Sequence, residues 1–265
     1  MTFHAVSAGQ AVTFFVLGAI ASGINAVAGG GSLITFPALT VGFHMPSNIA
    51  NATNSVALWP GSFAGALGFK NLISKTAHHL KVLFLPTLLG SLVGAQLFIS
   101  TSAKVFDRVI PWLILLAALL LMFQPTVKKL AMREGRSVSP VAGAVLQFFV
   151  ALYGGYFGAG MGIMMLAAFA LFMDGTIHEL NAVKTWLGLV INFAASIMFL
   201  AQNIIDPSVA LILTLGSIIG GFYAAKFSQR VNPDKMRTVI AIYGLVAAAY
   251  FMYKAFRLPS WPSIG

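Results

Sequence analysis

The sequence predicts an all-α integral membrane protein with two homologous repeats and about 8 to 10 membrane helices. Its composition is the first reason: 58% of the 265 residues are hydrophobic and only 8% are charged, whereas a water-facing surface needs roughly a quarter charged residues. The second is that the apolar runs are long and continuous, unlike the short alternating segments of a membrane barrel. The third is an internal repeat that contains two glycine clusters.

The same composition excludes several classes of protein. Cysteine is absent, which excludes a disulfide scaffold, thiolate catalysis and cysteine-ligated metals. The net charge of +10 could indicate nucleic acid, but the charges lie between the apolar runs, as in loops that obey the positive-inside rule. Metal-ligand spacings, a Walker loop and a Ser/His/Asp arrangement are also missing. We therefore expect a lipid bilayer as partner and no nucleic acid, cofactor, bound metal or enzymatic activity.

The apolar runs indicate the membrane segments. They are approximately 11–43, 49–69, 82–99, 109–123, 140–173, 184–201, 208–226 and 238–256. Six of them suit single spans, but 11–43 and 140–173 would each extend about 50 Å as one helix against a hydrocarbon core of ~30 Å. Both long runs carry glycines near the middle, and glycine interrupts helices. Each long run is therefore predicted to be two helical pieces, either paired short helices or a re-entrant segment.

The two long runs belong to equivalent parts of the repeat. A shift of 130 residues places Gly30 on Gly160 and Asn51 on Asn181, and a shift of 126 places the stretch 90–94 on 216–220. The predicted organisation is a first transmembrane repeat over 1–123, a basic linker loop over 124–139 and a second transmembrane repeat over 140–265.

Loop charges favour halves that are inverted in the membrane. The loop 70–81 of the first repeat is basic, whereas its counterpart 202–207 holds only Asp206. In the second repeat the following loop, 226–237, carries the basic residues instead. Opposite polarity of equivalent loops is what inverted repeats would show.

Broken helices at matching positions of two repeats indicate a transporter's binding site. The half-helices that start after Gly31 and Gly162 would present free N–H groups and positive dipole ends to an anion. Ser32 adds a hydroxyl donor at the first of these ends. The alternative is that the glycines serve only packing or hinging. The glycines predicted to bind substrate are Gly29, Gly30, Gly31, Gly158, Gly160 and Gly162.

A second candidate group follows each break. Asn51, Thr53 and Asn54 in the first repeat correspond to the region of Asn181 and Lys184 in the second. Asn54 and Lys184 are equivalent by the repeat and could coordinate two faces of one anion. Helix capping by the asparagines, and a lysine that extends to the membrane interface, are the alternatives.

The residues of the first break resemble a known family. Residues 28–39, with the letters AGGGSLITFPAL, are similar to the signature of the sulfite exporter TauE/SafE family of anion permeases (TSUP). The stretches 51–55, 90–94 and 158–162 fit the same pattern, so the resemblance covers about 11–256. Where family members often carry a small hydroxyl residue, this chain has Val183 and Lys184. The resemblance implies transport of sulfite or organosulfonates.

The favoured function is a secondary transporter, working as an exporter of small sulfur-containing anions by alternating access around the two breaks. No Asp or Glu lies deep in any run, so the usual carboxylate for ion coupling is missing; protons carried by the substrate are one candidate for coupling. The alternatives are an anion-selective channel and a permease for another small anion such as a carboxylate. The expected location is the inner (cytoplasmic) membrane, as a multi-pass protein, with a homodimer as a candidate assembly.

Overall fold

The computed structural model describes residues 5–27, 29–67, 72–131, 139–169, 171–174, 176–227 and 233–257. Within these residues the chain is all-helical, with ten α-helices and no strand, and a π-helical turn at Ala38–Gly42 follows the second helix. The helices are α1 Ala8–Val27, α2 Ser32–Pro37, α3 Ser47–Leu67, α4 Ile73–Ser100, α5 Ala103–Ala131, α6 Pro140–Tyr156, α7 Met161–Phe169, α8 Ile177–Ala201, α9 Pro207–Phe227 and α10 Pro233–Arg257.

The prediction of a helical membrane protein is confirmed. Five helical stretches are long and apolar enough to cross a membrane, and three shorter helical stretches are also apolar. The five are Ala8–Ala26, Ile73–Ser100, Ala103–Phe123, Glu179–Ala201 and Arg237–Phe256; the shorter three are Ser32–Gly42, Val141–Tyr156 and Pro207–Tyr223.

Both long apolar runs are interrupted at their glycines. The first break separates α1 from α2, and the second separates α6 from α7. The second half-helix starts earlier than predicted, because α7 begins at Met161 and already contains Gly162. The positive φ angles lie at Gly158 and Gly160, so the chain has completed its turn before it reaches Gly162.

Several helices extend beyond their apolar runs, which corrects two predicted loops. Helix α4 begins at Ile73 and takes in most of the predicted basic loop 70–81. Helix α5 continues to Ala131, so the first half of the predicted linker loop 124–139 is helical; residues 132–138 lie outside the described part. The end of an apolar run marks where the chain leaves hydrocarbon, and lysine and glutamine remain good helix formers in water.

The helices pack in matching pairs. In the first half α1 packs on α9, and in the second half its counterpart α6 packs on α4. Likewise α3 contacts α9 while α8 contacts α4, and α2 contacts α10 while α7 contacts α5. The equivalent helices α3 and α8 also pack on each other, as do α5 and α10. Elements from both halves therefore surround the centre, where the two breaks lie.

Glycines permit the closest of these contacts. A Cβ atom at Gly90 or Gly94 would collide with backbone carbonyl oxygens of α6. At the repeat-related Gly216 and Gly220 it would collide with backbone carbonyl oxygens of α1. These Gly-x-x-x-Gly spacings therefore serve packing inside one chain, as small residues do between membrane helices.

Candidate functional site

The two helix breaks meet back to back. Gly29 and Gly30 have φ angles of +71° and +102°, and Gly158 and Gly160 have φ angles of +77° and +76°. Side chains are strained in this left-handed region, so glycine is required for the chain to turn there. A Cβ atom on Gly29 would lie 3.8 Å from Cα of Gly162. Segments 130 residues apart in sequence therefore form one site.

The first break is closed by a side chain from its own repeat. Asn25, near the end of α1, accepts hydrogen bonds through Oδ1 from the backbone N–H of Gly30 at 3.1 Å and of Gly31 at 2.7 Å. The N–H groups that the sequence predicted to be free for an anion are therefore already occupied. Asn25 itself lines the cavity described below.

The second break has no such cap. Tyr153 donates its hydroxyl hydrogen bond to the carbonyl oxygen of Ala159 at 2.6 Å, which ties the break to α6. Among the described residues, no side chain accepts from the first N–H groups of α7, and Gly162 N–H has no acceptor. The repeat position that corresponds to Asn25 is Gly155, which cannot cap. The two helix starts are therefore chemically different although the chain repeats.

A cavity of about 60 Å³ lies where the two breaks meet α1, α3 and α8. This is far smaller than the ~300–1,000 Å³ of pockets for drug-sized ligands, so it fits a compact solute. Its wall combines glycine backbone with hydroxyl and amide side chains, and none of its residues is acidic. The polar side chains on the wall are Ser22, Asn25, Ser32, Ser55, Ser62, Lys184, Thr185 and Asn192.

Lys184 is the charged residue of this wall. It lies one to two turns into α8, and only 5% of its surface is exposed. Its stem runs beside Gly162, because a Cβ atom there would lie 3.4 Å from Cδ of Lys184. No described residue forms an ion pair or accepts a hydrogen bond from its ammonium. A buried cation without a protein partner is costly, and an anion in the cavity would provide that partner.

Half of the residues that the sequence proposed for the site line this cavity. They are Gly29, Gly30, Ser32, Gly158, Gly162 and Lys184. The remaining six lie outside its wall. They are Gly31, Asn51, Thr53, Asn54, Gly160 and Asn181.

Those outside the wall have structural contacts instead. Asn51 donates through Nδ2 to the carbonyl oxygen of Tyr156 at 3.1 Å. The Thr53 hydroxyl accepts from the backbone N–H of Asp206 at 2.9 Å, and Asn54 accepts from the hydroxyl of Thr35 through Oδ1. The structure therefore does not bring Asn54 and Lys184 to the two faces of one anion.

The remaining three outside the wall also contact protein. Gly31 packs against the backbone of Ala21, and a Cβ atom at Gly160 would lie 3.0 Å from Cβ of Ala117. The carbonyl oxygen of Asn181 accepts from the hydroxyl of Thr185 at 2.8 Å.

Sequence reasoning did not assign several cavity residues to the site. Ser55 and Thr185 are 130 residues apart, as are Ser62 and Asn192, and all four line the cavity. Each pair is therefore polar in both repeats, and within each helix the two positions are seven residues apart on one face. That coincidence of repeat and helical period was the signal available in the sequence. Ser22 had no such signal, because its repeat position, Leu152, is apolar.

Fold and cavity together define a helical membrane protein with a small polar site enclosed by two broken helices, a class typical of transporters. The family model described as Sulfite exporter TauE/SafE matches residues 14–251. The chain belongs to the TauE/SafE family.

Similar proteins have the same general description. A probable membrane transporter protein of Haemophilus influenzae is 28% identical over 239 residues, covering 90% of this chain and 93% of that protein. Probable membrane transporter protein YfcA of Escherichia coli K12 is 25% identical, covering 91% of this chain and 89% of YfcA. Probable membrane transporter protein ORF9 of a Sinorhizobium species is 23% identical, covering 88% and 89%. No solved structure matches the chain. The chain is a membrane transporter, not an enzyme.

Proposed function

We propose that the protein is a secondary transporter, working as an exporter, of small sulfur-containing anions such as sulfite or organosulfonates. The observation that carries the proposal is the buried, unpartnered ammonium of Lys184 in the wall of the cavity between the breaks. Gly162 N–H at the start of α7 and the neighbouring hydroxyls supply further donors. The cavity's small volume suits a compact oxyanion, and the family description contributes sulfite as the first candidate.

We also propose that the cavity alternates between the two sides of the membrane by relative motion of two inverted repeats, 1–123 and 140–265. Matching helix pairs, such as α1 with α9 and α6 with α4, support a repeat with approximate two-fold symmetry. The swapped charge of equivalent interhelical regions supports inversion. A site between repeats, on the axis that relates them, is where such transporters bind substrate.

The direction and the energy source follow from the same wall. It contains no carboxylate, so a proton bound to the substrate is the proposed route for any proton coupling. In the inner membrane, an interior-negative potential favours anion export by about 2.3 kcal/mol per charge per 100 mV. Membrane potential alone can therefore drive export. Assembly as a homodimer is part of the proposal that only a measurement of mass in detergent can test.

The test is sulfite flux and counterflow in proteoliposomes, with methanesulfonate, sulfoacetate and acetate as competitors. We expect saturable sulfite flux, inhibition by the sulfonates, and loss of flux in Lys184→Met. The matched control is Lys104→Ala, which removes an exposed lysine at the start of α5 and should leave flux unchanged. Flux without counterflow would indicate a channel, and inhibition by acetate alone would indicate a carboxylate permease.

A further inference from the structure

We propose that the cavity selects its substrate by charge, binding singly charged anions and rejecting doubly charged anions of the same size. This inference rests on the proposed anion site. The wall contains one ionisable side chain, Lys184, among hydroxyls, amides, glycines and apolar groups. The juxtaposition of one buried ammonium with a wholly neutral wall carries the inference.

Charge balance explains the selection. A monoanion beside Lys184 gives a neutral pair, whereas a dianion leaves a net negative charge in a small cavity. The Born cost of removing an ion from water rises with the square of its charge, so a dianion loses about four times as much hydration energy as a monoanion. One ammonium at 5% exposure cannot compensate a loss of that size.

Neutral donors on the wall do not change this balance. The uncapped start of α7 contributes at most about half of an elementary charge. At the other break that contribution is absent, because Asn25 occupies the N–H groups of Gly30 and Gly31. Hydroxyls of Ser55 and Thr185 donate within their own helices to carbonyl oxygens at 3.0 Å and 2.8 Å. The positive potential of the cavity therefore comes mainly from Lys184.

A consequence for transport is that each anion moves one negative charge. For a substrate that exists in singly and doubly protonated or charged forms, the singly charged form is the cargo. No acidic residue of the wall is available to take up the proton of that form. The proton therefore crosses with the anion.

The experiment compares methanesulfonate with sulfate, which have five heavy atoms each around a central sulfur and differ by one charge. Binding to the full-length protein in detergent is measured by calorimetry at one pH and ionic strength. We expect the dissociation constant of sulfate to be at least about tenfold higher than that of methanesulfonate, a difference of 1.4 kcal/mol. Lys184→Met should remove methanesulfonate binding.

A gain-of-function variant gives a second measurement. Ser55→Lys places another ammonium on the wall, on the helix that packs against α8. It should lower the dissociation constant of sulfate relative to that of methanesulfonate by about tenfold or more. If the variant does not fold, the wild-type comparison decides alone.

The outcomes separate the two proposals. Equal or tighter binding of sulfate by the wild type, lost in Lys184→Met, would overturn charge selection and leave the anion site intact. Binding of both anions that is unaffected by Lys184→Met, or binding of neither, would overturn the proposed site and this inference with it. Preference for methanesulfonate that depends on Lys184 supports both.

Discussion

Replacing Lys184 with methionine should have opposite effects on stability and on anion binding. Methionine fills a similar volume and removes the charge. In the free protein the ammonium is buried at 5% exposure without an ion-pair partner, and burial of an unpaired charge is unfavourable. The thermal unfolding midpoint of the ligand-free variant should therefore stay the same or rise.

Anion affinity should fall in the same variant. Hydrogen bonds to charged groups contribute about 1.5–3 kcal/mol each, so loss of the ammonium should raise the dissociation constant by about 10- to 150-fold. The assay is thermal unfolding in detergent with increasing methanesulfonate, because a ligand that binds only the folded state raises the midpoint in proportion to its saturation. In Lys184→Met this increase should disappear over the range that saturates the wild type.

Two results would refute this reasoning. A marked fall in the midpoint of ligand-free Lys184→Met would mean that Lys184 stabilises the fold, which contradicts an unpartnered cation. An unchanged response to methanesulfonate would mean that the anion binds elsewhere. Lys104→Ala, with an exposed lysine, should behave as the wild type in both measurements.

Three further predictions use the glycines and the cap. Asn25→Ala should lower stability by about 1 kcal/mol, as loss of an N-cap does, whereas Asn25→Asp keeps the acceptor and should lose anion affinity because it adds negative charge to the cavity; unfolding midpoints and titrations that do not separate the two variants would contradict this role. Gly162→Ala should fold normally and weaken anion binding, since its Cβ would lie 3.4 Å from Cδ of Lys184; unchanged affinity in calorimetry would contradict it. Gly94→Ala should lower the midpoint by an amount that reflects about 1–3 kcal/mol of overpacking against the backbone of α6, whereas Gly9→Ala, with no atom near its Cβ position, should not.

The breaks were predictable because they depend on local chemistry. Clusters of glycine in an apolar run too long for one span leave few alternatives, and the structure interrupts both runs there. Helix starts were less predictable from hydropathy. Thr176 and Glu179 form a capping box in which Glu179 N–H donates to the Thr176 hydroxyl at 3.3 Å, and this Thr-x-x-Glu pattern is readable in the sequence. It starts α8 seven residues before the apolar run that marked this span.

The composition of the cavity was only partly predictable, because a repeat in sequence does not ensure equivalent contacts. Asn54 and Lys184 occupy matching positions, yet Asn54 is held by Thr35 and only Lys184 lines the cavity. Likewise Asn25 caps one break while its counterpart, Gly155, packs against the backbone of Ser91. Such differences arise from long-range packing between elements, which the period of the sequence does not encode.

The central claim is that a small anion binds between the two breaks beside Lys184. The most direct measurement is an anomalous difference map from crystals of the protein grown with selenite, the selenium analogue of sulfite. We predict a selenium peak in the cavity, within hydrogen-bonding distance of Nζ of Lys184, and no peak there in crystals of Lys184→Met. A cavity without selenium in the wild type, at a concentration that inhibits sulfite flux, would contradict the claim.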